Sequence, residues 1–201
     1  MVKKFVFYSI LVGLIVSCQK EELVLDKVSE VDTVVFPDET EKTTTEIDNS
    51  KPVFNWIAGQ QSSTGLFTSS ENLDFVSLYD NALAALLFVE KGELHKAAQI
   101  LDFFESRIEI EFDAQVGGFY QFRNANGENG SRKWLGDNTW LLIAVNHYHK
   151  AGNNRKYGAL ANKLENWIRS LQDDDGGLFG GYNEDGTAIH KVTEGNLTAD
   201  N

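Results

Sequence analysis

The chain repeats itself, and the repeat limits its possible folds more than any other feature. "NWIAGQQSSTGLF" (55–67) and "NWIRSLQDDDGGLF" (166–179) both run from Asn-Trp-Ile through a glutamine and a turn to Gly-Leu-Phe. "YDNALAALLFVEKG" (79–92) and "GDNTWLLIAVNHYHKAG" (136–152) both set Asp-Asn ahead of an apolar run that ends at glycine. Between them "QVGGFY" (115–120) stands where "DDGGLF" stands in the following copy. Asp80 and Asp137 are 57 residues apart, and a further 57 lands on Glu194 in "VTEGNLTADN". A period of this size means copies of one supersecondary element, each burying its apolar face against the next.

Each copy carries two helical patterns. The stretch after Asp-Asn is apolar on nearly every side, which predicts a buried helix. The second is amphipathic. Leu94, Ala97, Ala98, Leu101, Phe104 and Ile108 fall at helical spacing, as do Tyr157, Leu160, Ala161, Leu164, Ile168 and Leu171. Gly92 and Gly152 are the expected stops between the two helices of a hairpin. An inner ring of buried helices inside an outer ring of amphipathic ones satisfies both patterns, and Trp56 and Trp167, on outer helices, are expected in the core.

This alternation is all-α and looks like an (α/α) toroid of helical hairpins. Tyr79-Asp80-Asn81, Gly117-Gly118-Phe119, Gly136-Asp137-Asn138-Thr139-Trp140, Asp175-Gly176-Gly177 and Thr193-Glu194-Gly195-Asn196 together resemble the six-hairpin glycosidase superfamily. That resemblance implies a central cleft lined by the loops leading into the inner helices. Acidic residues there would act on glycosidic bonds and aromatic residues would hold sugar rings. It makes Asp80, Asp137 and Glu194 the catalytic candidates. Tyr79, Asn81, Phe119, Tyr120, Trp134, Asn138, Trp140 and Tyr182 are the substrate-binding candidates. A carbohydrate substrate follows, with no cofactor. Six hairpins of this length need about 340 residues, whereas the toroid segment is 51–201. The expectation is therefore an incomplete ring of two and a half to three hairpins.

Two readings of Asp137 stand side by side. An aspartate ahead of a helix accepts backbone N–H bonds and suits the positive end of the helix dipole. Convergence of the inner-helix starts on one cleft would instead give the pair of carboxylates, one protonated and one ionised, that glycoside cleavage needs. Capping favours the ionised form, so Glu194, with its longer side chain, is the expected acid. A glycan-binding or degenerate toroid without chemistry is the alternative. "LQDDDGGLFGGY" also resembles repeats of prenyltransferase and terpene-cyclase toroids, and sugar epimerases share the architecture. Arg123, Arg132 and Lys133 are read as solvated charges, with contact to an acidic sugar as the alternative.

The remaining sequence bears on location. The net charge is −12, which disfavours a nucleic-acid partner. "MVKKFVFYSILVGLIVSCQKEE" has two lysines, a short apolar run and then the chain's one cysteine, Cys18. This has secretory-signal architecture, and Ile15-Val16-Ser17-Cys18 resembles a bacterial lipobox. That implies removal of residues 1–17, a lipid on Cys18 and membrane anchoring in the cell envelope. Residues 19–50 carry ten acidic and three basic side chains, the composition of an unstructured tether. No metal site is expected. His147 and His149 are two apart and point to different helix faces, and "DDDGG" reads as an acidic turn rather than a calcium loop.

Overall fold

The computed structural model describes residues 50–200. Residues 1–49, and with them the expected signal segment, Cys18 and nearly all of the expected tether, lie outside the described residues; Ser50, expected as the tether's last residue, opens α1. Six α-helices follow in order: α1 (Ser50–Gly59), α2 (Leu78–Glu90), α3 (Leu94–Ser106), α4 (Leu135–Gly152), α5 (Gly158–Ser170) and α6 (Thr193–Ala199). The all-α expectation holds. Helix α4 lies between α2 and α6, while α3 backs α2 and α5 backs α4. Among these, α2, α4 and α6 are the inner helices of the ring segment. α1 joins the outer side through Phe54, which meets the Phe88 ring edge-on at 6.0 Å.

The sequence explains this placement. α4 buries Leu135, Leu141, Ala144, Val145 and Tyr148 because both its flanks are covered by other helices. α3 and α5 bury one stripe each, Ala97, Ile100, Leu101 and Phe104 in the first and Leu160, Leu164, Trp167 and Ile168 in the second. Two expectations fail. Trp56 is 53% exposed, on the uncovered side of α1. The left-handed residue that ends α4 is Asn153, at φ 46°, rather than Gly152; asparagine is among the few side chains that tolerate this conformation.

Short two-residue strands precede the inner helices: β1 (Val76–Ser77) before α2 and β3 (Lys133–Trp134) before α4. β1 pairs antiparallel with β2 (Phe122–Arg123). β3 pairs with β4 (Gly181–Tyr182), and β4 with β5 (Ala188–Ile189). These ladders let the loop of the following copy cap the helix start. Leu78 N–H donates to Gln121 O at 2.8 Å, and Leu135 N–H donates to Gly180 O at 2.9 Å.

One interaction recurs in every copy. Asn81 accepts from Phe67 N–H and donates to Phe67 O, at 2.9 and 3.1 Å. Asn138 does the same to Phe119, at 2.8 and 3.0 Å. Asn196 does the same to Leu178, at 2.8 and 2.9 Å. Each asparagine also donates to the carbonyl four residues before it: Ser77, Trp134 and Val192. Each bonded loop residue stands two positions after a glycine with positive φ: Gly65, Gly117 and Gly176. The repeated Gly-x-apolar and Asn motifs are therefore the two halves of a clamp between loop and inner helix.

The clamp corrects three expectations. Asn81 and Asn138 are fully buried and have spent their amides on backbone, so they do not meet substrate. Phe119 is fully buried between the rings of Phe104 and Phe112. The clamp also resets the repeat. Asn196 matches Asn81 and Asn138, so Gly195, not Glu194, is the counterpart of Asp80 and Asp137.

Arg123 and Lys133, expected in solvent, are 3% and 2% exposed. Arg123 forms a bidentate pair with Glu111 at 2.8 Å on each arm, and Lys133 Nζ donates to Glu111 O at 3.0 Å. Burial, and then the neighbouring Arg123 charge, pull the Lys133 ammonium down to about 8 against the attraction of Glu111. Glu111 sits on a single π-helical turn (Ile108–Phe112), so this cluster ties the end of α3 to the strand before α4.

Asn138→Ala strips partners from two Phe119 backbone groups in a buried site. It should lower unfolding free energy by about 2–4 kcal/mol, measured by urea denaturation against wild type.

Candidate active site

Strand geometry decides which side chains meet at the start of α4. Arg132 and Trp134 alternate with Lys133 and lie on the other face. Gln121 likewise turns opposite to Tyr120. Gln121 and Arg132 therefore face Asp137, the third residue of α4, with Trp134 stacked against Arg132.

Asp137 is 5% exposed. It is no N-cap: Trp134 holds that position, without a side-chain cap bond. Asp137 Oδ1 accepts from Gln121 Nε2 at 3.2 Å, and the buried Oδ2 has no hydrogen-bond partner. The Tyr79 backbone also approaches the carboxyl and favours its ionised form. Burial pushes the carboxyl up to about 7; Gln121 and the Tyr79 backbone pull it down, Glu194 raises it and Arg132 lowers it.

Glu194 arrives from α6. Its Oε2 accepts from Trp134 Nε1 at 3.0 Å. The carboxylate lies on the bare backbone of Gly136, where a Cβ would collide with both of its oxygens. Glycine at 136 is thus what lets α6 bring a second acid to the start of α4. Asp137 is buried and Glu194 is exposed, so the two carboxyls meet different surroundings. Glu194 is the acid expected from the sequence, but it is the aspartate whose protonated form burial favours.

Aromatic groups flank the pair. The Tyr79 ring meets Trp140 edge-on at 5.9 Å, and Tyr79 is 38% exposed. The Arg132 guanidinium stacks on Trp134 at 4.3 Å from the ring centre. Three other candidates lie elsewhere. Asp80 lines a separate pocket of about 360 Å³ with Trp56, Phe67, Leu83 and Leu87. Tyr120 packs against Gly130 on the Lys133 side, and its hydroxyl accepts from Gln115. Tyr182 is the cross-strand partner of Lys133 and is partly buried against the core. Gln121 carried no signal in the sequence, since only strand pairing brings it to Asp137.

The acidic turn has its own counter-ion. Lys191 Nζ donates to Asp173 at 2.7 Å and to Asp175 at 2.5 Å. Among the described residues no group of His, Cys, Asp and Glu has the arrangement of a metal site.

A carboxyl raised by folding binds its proton more firmly in the native state than in the unfolded chain. Native stability therefore falls as pH rises from Asp137's ordinary 3.8 to about 7, and stays lowered above that. Asp137→Asn removes the charge that cannot be solvated. It should stabilise the protein by about 2 kcal/mol at pH 8 and by much less at pH 5, as read from urea melts at the two pH values.

No family model matches the chain, and no curated protein matches its sequence. Solved structures do match its fold. A glycoside hydrolase of family 105 from C. acetobutylicum is 13% identical with a TM-score of 0.57, the match covering 74% of this chain and 48% of that one. A novel alpha-amylase from Clostridium perfringens is 15% identical with a TM-score of 0.55, over 67% and 42% of the two chains. A cellobiose 2-epimerase from Spirochaeta thermophila is 20% identical with a TM-score of 0.51, over 73% and 43%. The chain spans less than half the length of each. Its fold is part of the (α/α) toroid found in these carbohydrate-processing proteins.

Proposed function

We propose that this chain is part of a carbohydrate-active enzyme that hydrolyses glycosidic bonds, with Asp137 as proton donor and Glu194 as the ionised carboxylate. The observation that carries the reading is the pairing at the start of α4: a buried carboxyl with an unpartnered oxygen beside an exposed carboxylate held by Trp134. Asp137 in its acid form protonates the glycosidic oxygen as the bond to the anomeric carbon breaks. Glu194 stabilises the positive charge developing there or takes a proton from the attacking water, whose hydroxyl adds to that carbon. Tyr79, Trp134 and Trp140 offer flat apolar faces to sugar rings. Because Asp137 is so little exposed, substrate has to displace the side chains above it. The names of the matched structures, two glycosidases and an epimerase, support the carbohydrate class.

Asp137→Asn and Glu194→Gln in the intact protein should each lower turnover of an oligosaccharide mixture by on the order of 10²–10⁴-fold. Wild-type activity should decline as pH rises through about 7, where Asp137 loses its proton. Turnover unchanged in both variants would sink the reading. Oligosaccharide binding without turnover in the wild type would replace it with glycan recognition alone.

We further propose that the lipobox-like segment leads to acylation of Cys18 and anchors the domain in the bacterial envelope. Cys18→Ser should move the protein from the membrane to the soluble fraction on cell fractionation. Unaltered partitioning would remove the anchor.

A further inference from the structure

The two acids of the site are joined by one arc of side chains, and at its centre is a residue whose charge the sequence alone leaves without a partner. Arg132 Nε donates to Gln121 Oε1 at 2.5 Å. Gln121 Nε2 donates to Asp137 Oδ1 at 3.2 Å. The same guanidinium stacks on Trp134, whose indole donates to Glu194 Oε2. Gln121 is buried, at 8% exposed, so its amide orientation is not averaged by solvent.

We propose that Arg132 and Gln121 are positioning residues, an amide relay that fixes which oxygen of Asp137 carries the proton. The argument is one of donors and acceptors. Every hydrogen bond a guanidinium makes is one it donates, so its N–H can bond only to an acceptor. Arg132 therefore holds the Gln121 carbonyl toward itself and turns the amide N–H toward Asp137. An N–H aimed at Oδ1 leaves that oxygen as acceptor only. The proton of the neutral acid is then placed on Oδ2, the oxygen without a protein partner. That is the oxygen free to give a proton away. The positive charge of Arg132 polarises the amide in the same direction and strengthens its bond to Oδ1. Through Trp134, Arg132 also holds the ring that orients Glu194.

The groups facing Asp137 are few. Glu194 faces it from α6, the Tyr79 backbone from α2, and Gln121 and Arg132 from the strand segments. Lys133 turns to Glu111 on the opposite face, and Asp80 opens onto its own pocket.

The inference rests on the reading of Asp137 as the reacting acid only for its catalytic consequence. Its test is independent of turnover. The ¹³C carboxyl resonance of Asp137, identified by its loss in Asp137→Asn, is titrated in the full-length chain. Gln121→Met and Arg132→Met should each raise the midpoint by about one pH unit, the size expected for losing one hydrogen bond to a charged group. The double variant should rise no further than the larger single change, because both residues act through one amide. Arg132→Lys, which keeps a cation able to meet the Gln121 carbonyl, should recover part of the wild-type midpoint. Should Gln121→Met fail to fold, Gln121→Asn, whose shorter side chain cannot span both partners, gives the same reading. An unchanged midpoint in the Gln121 variant overturns the relay, whatever Arg132→Met does, since Arg132 would then act by charge through space. Absence of turnover on every glycan would defeat the proposed reaction and leave this titration untouched.

Discussion

The ring segment depends on a buried asparagine that clamps a loop to the inner helix following it. Each clamp satisfies an N–H and a C=O of a loop residue that the core would otherwise leave unpaired. A lost buried partner of this kind costs about 1–3 kcal/mol. The same amide bonds the carbonyl just before its helix, so it fixes the angle at which the chain turns into that helix. Three copies of the clamp set α2, α4 and α6 side by side with their starts at one end. The glycine two residues before each bonded position supplies the left-handed backbone that brings the loop back across the helix start.

Once the inner helices are fixed, small departures from the repeat create the site. Position 136 is glycine where the first copy has Tyr79 and the third has Glu194. A small residue in the middle copy leaves room, and the long acid of the next copy fills it. Position 137 keeps the aspartate of the first copy, yet its surroundings differ. Asp80 opens onto an apolar pocket beside α1, whereas Asp137 is faced by Gln121, Arg132, Glu194 and the Tyr79 backbone. The two aspartates are equivalent in the repeat and not in chemistry, because each is covered by a different neighbour.

The second buried polar cluster, Glu111 with Arg123 and Lys133, is supporting structure. Two cations and one carboxylate below the strands hold the loop 115–134 from underneath while its other face carries Gln121, Arg132 and Trp134. A buried charge left without its partner is costly. The pairing therefore restrains the strand register that decides which side chains face Asp137.

The sequence by itself determined the helical hairpins, their inner and outer characters and the 57-residue spacing of the first two copies, because helical periodicity and glycine stops are local signals. The resemblance of its repeats to known toroids holds at the level of fold. It also exposed the residues that recur, but not the reason they recur. Asn81, Asn138 and Phe119 look like site residues in the sequence and are clamp and core in the structure, since repetition marks structural need as readily as function. Only the tertiary structure decided that Glu194 is one place out of register with Asp137 yet beside it, that Trp56 is exposed, and that Arg123 and Lys133 are buried while Arg132 remains at the site. It alone placed Gln121 on Asp137. These outcomes depend on strand pairing and on the contact between α4 and α6, which join residues 16 and 60 positions apart. No local pattern encodes whether a given acid meets water, a cation or another acid, and that environment decides which carboxyl keeps its proton.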